Sequence, residues 1–538
     1  MNLLFDPLIS VQRHDGTVER RTLPDVMAAL STDQVHDFPG LRPHQRTAWH
    51  SLLVQVGALG CLHQGSAVPT GSGDEWRDWL LSLTPDWPNG EAWALTNENV
   101  RQPAFLQAPE PSGALDGFKE VHCADDLDVL PTSKNHDVKQ SSMPHAVPEE
   151  WIFALMCLQT QQGFLGAGNY GISRMNGGFS NRPFFGVRPQ GGPGRWFQRD
   201  LRELLSTRPL LLSNNPAFPA RGGLALVWLE PWDGTRSLPL SHLDVWYVEI
   251  CRRVRLQTSE DIQITGKVAG SKVARIDSKG LLGRTGDPWT PLVADGSDFK
   301  ALTSQRHTFS YRSLVPLLFG GGGHDETVRR APMQIVSDQD DRDGLRIITS
   351  ALVRGQGKTE GFYERSIPIS RVARQGFTYV PTDAAGKYAQ ERVDEAAVMS
   401  RDVLYPAALA IFTGAPSAGE RKRDDDAAKA RARLVCDAFE RTVDSDFFEA
   451  LNEELDAIDD ETARDAVRRT WLRTIEDRAR HTLEEALARS PDSAVRHYRT
   501  RARSLALFEA RFLRHFRARL ASTAPAMPPS DHPSRSMI

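Results

Sequence analysis

The sequence predicts an α+β fold: a large mixed N-terminal domain over residues 1–383, followed by an antiparallel four-helix bundle over 384–522. Three observations carry this. A chain of 538 residues is long enough to form two or more domains. Up to about Pro381, short runs rich in Val, Ile and aromatics mix with helical stretches and long loops, without the regular β-α-β alternation of a doubly wound parallel sheet. Past Asp383 proline thins out, and Ala, Arg, Glu and Leu dominate.

The elements follow in order. "PLISVQRHDGTVERRTL" reads as a hairpin turning at Asp15-Gly16. "RPHQRTAWHSLLVQVGAL" reads as a helix begun by Pro43. In "PEEWIFALMCLQTQQG", Pro148 suits the first turn and Glu149 and Glu150 favour its positive end. Trp151, Leu155 and Leu158 fall at helical spacing, and Gly163 is the stop. "GLALVWLEPWDG" and "VWYVEICRRVRLQ" have the β-branched and aromatic content of strands. "PMQIVSDQDDRDGLRIITSALV" reads as two strands joined by an acidic turn. Four long helices are expected over 384–413, 424–455, 460–489 and 493–521, broken at "TGAPSAGERKRDDD" and "ARSPDS". Val467, Trp471, Ile475, Ala479, Leu483 and Leu487 keep an i+4 rhythm in the third. Leu505, Phe508, Phe512 and Phe516 make one apolar stripe in the fourth, which a helix in water must bury. The tail over 523–538 has the composition of a disordered segment.

Composition narrows the function. Lys plus Arg at 65 against Asp plus Glu at 69 leaves a formal net charge of -4, without the basic excess of a free-standing DNA binder. Any nucleic-acid contact must be a local patch, or shared with partner subunits. No apolar run approaches the ~18 residues of a membrane span. The N-terminus meets Asp6 and Pro7 too early for a signal peptide, so the chain reads as cytoplasmic. The 5 cysteines are scattered without a C-x-x-C pair and read as buried apolar thiols, not zinc ligands.

The motif that asks for an explanation is "GFLGAGNYGISRMNGGFSNRP". Its Gly166-Ala167-Gly168-Asn169-Tyr170-Gly171 fits the dinucleotide fingerprint G-x-G-x-x-G. That fingerprint works only where it leaves a strand and opens a helix, whose N-terminus holds the pyrophosphate. Here a helix precedes the glycines, and Gly177-Gly178 and Pro183 follow. Two readings stay open: a surface loop that uses glycine for its turns, or glycines that let main-chain N–H groups approach a rigid partner. "GQGKT", Gly355 to Thr359, is similar to a P-loop but has Leu352 where the first glycine is required. A nucleotide-dependent enzyme using either glycine segment is the alternative function. "DQDDRDG" is similar to a calcium loop, but Arg342, Asp343 and Thr349 occupy positions where that loop needs an acid, glycine and glutamate. The loops "LPTSKNHDVKQ", "GFLGAGNYG" and "RGQGKTEG", the last at a hairpin tip, offer amides, N–H groups and cations with little bulk. Those are means of reading a narrow groove and prising a duplex.

Five features occur in one order along essentially the whole chain: "NLLFDPLISV", "DFPGLRPHQRTAWHSLLVQ", "DVLPTSKNHDVKQ", "GFLGAGNYGISRMNGGFSNRPFF" and the closing bundle. In this the sequence resembles the CasA family, the large subunits of the type I-E CRISPR surveillance complex Cascade. The resemblance implies a non-enzymatic subunit without cofactor that inspects duplex DNA for the short protospacer-adjacent motif and opens the duplex beside it. It implies as partners the guide-RNA-containing complex with its backbone, small and RNA-processing subunits, target double-stranded DNA, and a helicase-nuclease. By position, Gly163, Gly166 and Gly168 match the family's glycine loop on the minor groove of that motif. Gln356, between Gly355 and Gly357, matches its glutamine wedge, which the residues alone would equally allow as an exposed turn. Ser133, Lys134 and Asn135 match the loop that reaches toward the complex and the motif. Two C-x-x-C pairs that bind zinc in some relatives are missing, so no metal is expected. Where some relatives place a lysine finger this chain has "LVADGSDFK"; Lys300 there, and Arg174 in the glycine-rich run, are further candidates.

Overall fold

In the computed structural model, which describes residues 1–66, 68–128, 146–259, 263–320, 327–355, 358–378, 383–413, 425–489 and 494–521, the chain divides into two units, Met1–Thr382 and Asp383–Ile538. The first is a mixed α and β body. Its first strand, Ile9–Arg13, turns at Asp15-Gly16 and pairs antiparallel with Val18–Arg21, with Gly16 at φ 86°. Pro43 opens the helix Pro43–Gln64, and Gly65 closes it in the left-handed conformation. Pro148 opens the helix Pro148–Gln161, whose Trp151, Leu155 and Leu158 are all buried. These two helices run through one extended core with Trp49, Trp93, Trp228, Trp246 and Trp289. Around them the described strands form small sheets of two or three strands each. One sheet matters most for the site: Arg346–Gly355 pairs antiparallel with Lys358–Pro368 on one side and with Phe184–Arg188 on the other.

Two expectations need correction. "PMQIVSDQDD" is not a strand. Pro332–Gln334 is a short 3-10 turn, and the Arg199 guanidinium takes the Met333 carbonyl, the Ile335 carbonyl and Asp340. The segment's acceptors are spent on that buried arginine, so no ladder forms. The run "GLALVWLEPWDG" is a strand only over Leu224–Leu226, after which Val227–Leu229 turns as a 3-10 helix. "VWYVEICRRVRLQ" contains two strands, Leu243–Val248 and Arg253–Thr258, separated by a break at 249–252 that builds the site.

The second unit is a helical bundle. Its first helical segment runs from Asp383 to Phe412 and carries a π-helical turn over Met399–Leu404. Pro406 explains the turn: proline has no N–H and crowds the carbonyl four residues back, that of Asp402. Arg511 donates to that carbonyl instead, at 3.1 Å. The helices Asp426–Asp456, Glu461–Ala488 and Ala494–Ala521 follow. Trp471, Ile475, Ala479, Leu483 and Leu487 are buried, as are Phe508, Phe512 and Phe516. Val467 and Leu505, at the ends of the two stripes, are half-buried. Among the described residues no helix is long and apolar enough to cross a membrane.

Candidate nucleic-acid interface

The glycine segment starts where the helix Pro148–Gln161 ends. Gln159, in its last turn and fully buried, uses its whole amide. Its Nε2 donates to the carbonyls of Leu106 (2.9 Å) and Arg252 (3.0 Å), and its Oε1 accepts from the N–H groups of Cys251 (2.9 Å) and Arg252 (2.8 Å). This fixes the main chain at the 249–252 break. The Arg252 side chain then reaches back. It donates from Nη2 to the Gly163 carbonyl at 3.1 Å and from Nη1 to the Tyr170 carbonyl, so one buried guanidinium ties both ends of the loop. Within it the Asn169 N–H donates to the Gly166 carbonyl and the Leu165 N–H to the Asn169 carbonyl, both at 2.9 Å. The result is a tight turn whose Ala167 and Asn169 are exposed. The Ser271 N–H braces it from outside by donating to the Gly168 carbonyl at 3.0 Å.

The three glycines of the loop differ in why they are glycine. At Gly163 a Cβ would lie 2.5 Å from the carbonyl oxygens of both Gly178 and Ser180. That position is closed by the protein itself. Gly166 and Gly168 have φ of 116° and 83°, and an added Cβ would meet nothing within 4 Å at the first and nothing nearer than 3.7 Å at the second. These two keep a surface free of side chain while holding a backbone shape that other residues adopt only with strain.

The same segment runs on to the hairpin. Asn181 N–H donates to the Leu352 carbonyl at 2.9 Å, Arg354 N–H donates to Ser180 Oγ at 3.1 Å, and that hydroxyl donates to the Ser304 carbonyl at 2.8 Å. Gly355, the last residue of its strand, therefore lies close to the glycine turn in the fold, although nearly two hundred positions separate them in sequence. Gln356 and Gly357 lie outside the described residues, as do Ser133, Lys134 and Asn135.

Arg174 is corrected from a candidate contact to a core residue. It is 2% exposed, lies 4.0 Å over the Tyr247 ring, and donates to the Tyr247 carbonyl at 3.0 Å. Its Nε is 4.0 Å from Glu249, whose carboxyl is raised by burial although Arg174 and Ser173 oppose the shift. Lys300 is half-buried on the strand Asp298–Ala301, with its Nζ 2.9 Å from Asp295 in an exposed ion pair.

A cleft of about 500 Å³ opens beside the turn, lined by Leu165, Ala167 and Asn169, by Lys119, Val121 and Val268 of the neighbouring strands, and by Arg252, Arg253 and Arg354. Asp128, on its wall, accepts from Gln45 at 2.7 Å and faces His44 Nε2 at 2.8 Å. With Cys157 these form a group whose ligand atoms lie within 4.8 Å of one another. Burial, and then the Asp128 charge, push the Cys157 thiol well above its usual range. The Gln45 and His44 contacts both fall on Asp128 Oδ2, while Oδ1 is buried without a partner among the described residues; a metal there would still have to take a thiolate from a neutral thiol. Neither glycine segment opens a helix: the chain after Gly171 leads to the strand Phe184–Arg188, and Lys358 begins the strand Lys358–Pro368. The helix N-terminus that phosphate binding by either motif requires is therefore missing at both.

Sequence reasoning missed Arg252, Gln159 and Arg354. Each looks like an ordinary polar residue in a strand or helix, and only long-range contacts reveal its part.

The family model for CRISPR-associated protein Cse1 matches residues 2–482. No curated protein matches the sequence. Among solved structures, Cse1 from Acidimicrobium ferrooxidans is similar at 17% identity, over 96% of this chain and 98% of that one, with a TM-score of 0.62. Thermobifida fusca Cse1 is similar at 15% identity, over 97% and 99%, with a TM-score of 0.65. A chain of a CRISPR RNA-guided surveillance complex is similar at 12% identity, over 90% and 98%, with a TM-score of 0.50. At these identities the likeness is one of fold.

Proposed function

The chain belongs to the CRISPR-associated Cse1 family, the large subunits of the type I-E surveillance complex Cascade, and from that premise we propose how it serves the complex. It reads the protospacer-adjacent motif of duplex DNA with main chain, helps to open the duplex beside that motif, and helps to dock the helicase-nuclease that destroys the target. It performs no chemistry itself, and it acts in the cytoplasm. The observation that carries this reading is the turn at Gly166–Asn169: it is clamped at both ends by Arg252 and free of side chain at Gly166 and Gly168. Backbone so displayed can approach a groove floor where any Cβ would clash. Guide pairing then supplies sequence reading beyond the motif, as in other guided effectors. The near-neutral charge accords with weak DNA binding by the isolated chain, since few phosphate contacts release few counterions.

Gln356 supplies the test. By its position in the family match it supplies a compact amide to the first base step, and unstacking that step, about a few kcal/mol, is offset by contacts to the opened strands. Gln356→Ala in the assembled complex should impair opening of a matched duplex, read by a fluorescent base analogue beside the motif, more than initial contact. A substrate already mismatched there should recover most of the defect. Equal opening by variant and wild type on matched duplex would overturn the wedge.

A further inference from the structure

Arg354 sits one residue from the end of its strand, beside a break in the ladder. Val353 faces Gly361 while Arg354 faces Thr359, so Glu360 on the opposite strand has no counterpart. Such a bulge re-aims the neighbouring side chain, and Arg354 lines the cleft that also holds Leu165, Ala167 and Asn169 of the glycine turn. Its Nε and Nη1 are buried, yet they have no hydrogen-bond partner among the described residues. Of the neighbouring groups, Arg252 is spent on the Gly163 and Tyr170 carbonyls and Arg253 pairs with Glu110 at 2.5 Å, while Lys119, Asp126 and Asp128 also line the cleft, the last with its Oδ2 on Gln45 and His44. Burial, and then the nearby Arg252 charge, lower the Arg354 pKa. The guanidinium makes no ion pair with a carboxylate among the described residues, and buried donors left unmatched cost free energy that an acceptor brought to them would recover in part.

We propose that Arg354 is a phosphate seat, which grips one backbone phosphate of the target duplex beside the motif while the glycine turn lies in the groove. This rests on the motif-reading function proposed above. Phosphate fits the chemistry because its oxygens take charge-assisted hydrogen bonds from a guanidinium. Guide RNA carries the same group, so the test must separate the two strands' sources.

The experiment uses the assembled complex with Arg354→Gln and duplexes carrying a single neutral methylphosphonate at successive positions beside the motif, titrated at several salt concentrations. Arg354→Gln should weaken the unmodified duplex by roughly tenfold or more and reduce the salt slope by about one. One methylphosphonate position should weaken wild type as much and cost the variant nothing further. The free variant should melt no lower than wild type, because Nε and Nη1 hold no hydrogen bond among the described residues. Additive losses at every methylphosphonate position would overturn the proposal. So would a lower melting temperature that accounts for the binding loss. Failure of Arg354→Gln to enter the RNA-containing complex would assign the phosphate to the guide and equally overturn it. Gly168→Asp separates the levels: if it abolishes binding while Arg354→Gln does not, the seat falls and motif reading stands. If neither variant loses binding, both fall.

Discussion

Alanine at Gly163 and at Gly168 is expected to damage different properties. At Gly163 the added Cβ meets two main-chain oxygens at 2.5 Å, those of Gly178 and Ser180. Neither can retreat freely: Gly178 accepts from Phe164 N–H at 2.8 Å, and Ser180 is held by Arg354 and Ser304. Overpacking typically costs about 1–3 kcal/mol, and obstacles of backbone rather than flexible side chain put Gly163→Ala near the top of that range. At Gly168 the nearest atom is 3.7 Å away, so the cost is confined to the φ of 83°, about 1 kcal/mol. Thermal unfolding of the isolated chain should therefore show Gly163→Ala melting well below Gly168→Ala, with Gly168→Ala only slightly below wild type. Target binding should invert the order once charge is added. Gly168→Asp, in an intact complex, places a carboxylate against an electronegative groove and should lose about tenfold or more in affinity, about 1.4 kcal/mol. Gly163→Ala melting with wild type would refute the contact with Gly178 and Ser180. Gly168→Asp binding unchanged would make the turn a linker.

In the second unit, Arg392 is 1% exposed, pairs with Glu454 at 2.7 Å, lies over Trp471, and leaves Nη1 and Nη2 without a hydrogen-bond partner among the described residues. Glu454→Ala alone should destabilise by about 3–5 kcal/mol, whereas Arg392→Met combined with Glu454→Leu should unfold within about 1 kcal/mol of wild type in denaturant titrations. In the first unit, burial alone would raise the Asp340 carboxyl, but Arg199 and Arg202 hold it below the usual range. A depressed carboxylate contributes stability that is present above its unfolded pKa and lost as pH falls through the folded one. Asp340→Asn should thus be less stable than wild type at pH 7, and the gap should close as pH drops below about 4. A gap constant across a melting series from neutral to acid pH would contradict this.

The helices were legible because their signals are local. Pro43 and Pro148 start them, and the i+4 rows through Trp471 and Phe508 dictate which face is buried. The part of the site carried by conformation was not legible. Gly163, Gly166 and Gly168 look alike in sequence, yet one is closed by neighbouring carbonyls and two are bound by their φ. Arg174, in a glycine-rich run, has the look of a surface cation, but Tyr247 and Glu249 from a distant strand and the break after it enclose it. "PMQIVSDQDD" has strand composition, and an arginine far upstream captures its acceptors before a ladder can form. In each case a contact across long sequence separation outweighs the local preference.

Untethered, the run between Gly163 and Gly171 would wander, since glycine has more freedom to lose on ordering than any other residue. Sharing one guanidinium between the carbonyls of Gly163 and Tyr170 moves that loss into folding, before any partner arrives. A template already in shape meets its partner without a further ordering cost. Differences among variants of this turn should then surface as residence time on DNA more than as encounter rate. Loosening Arg252 would transfer the entropy of the loop back into each binding event.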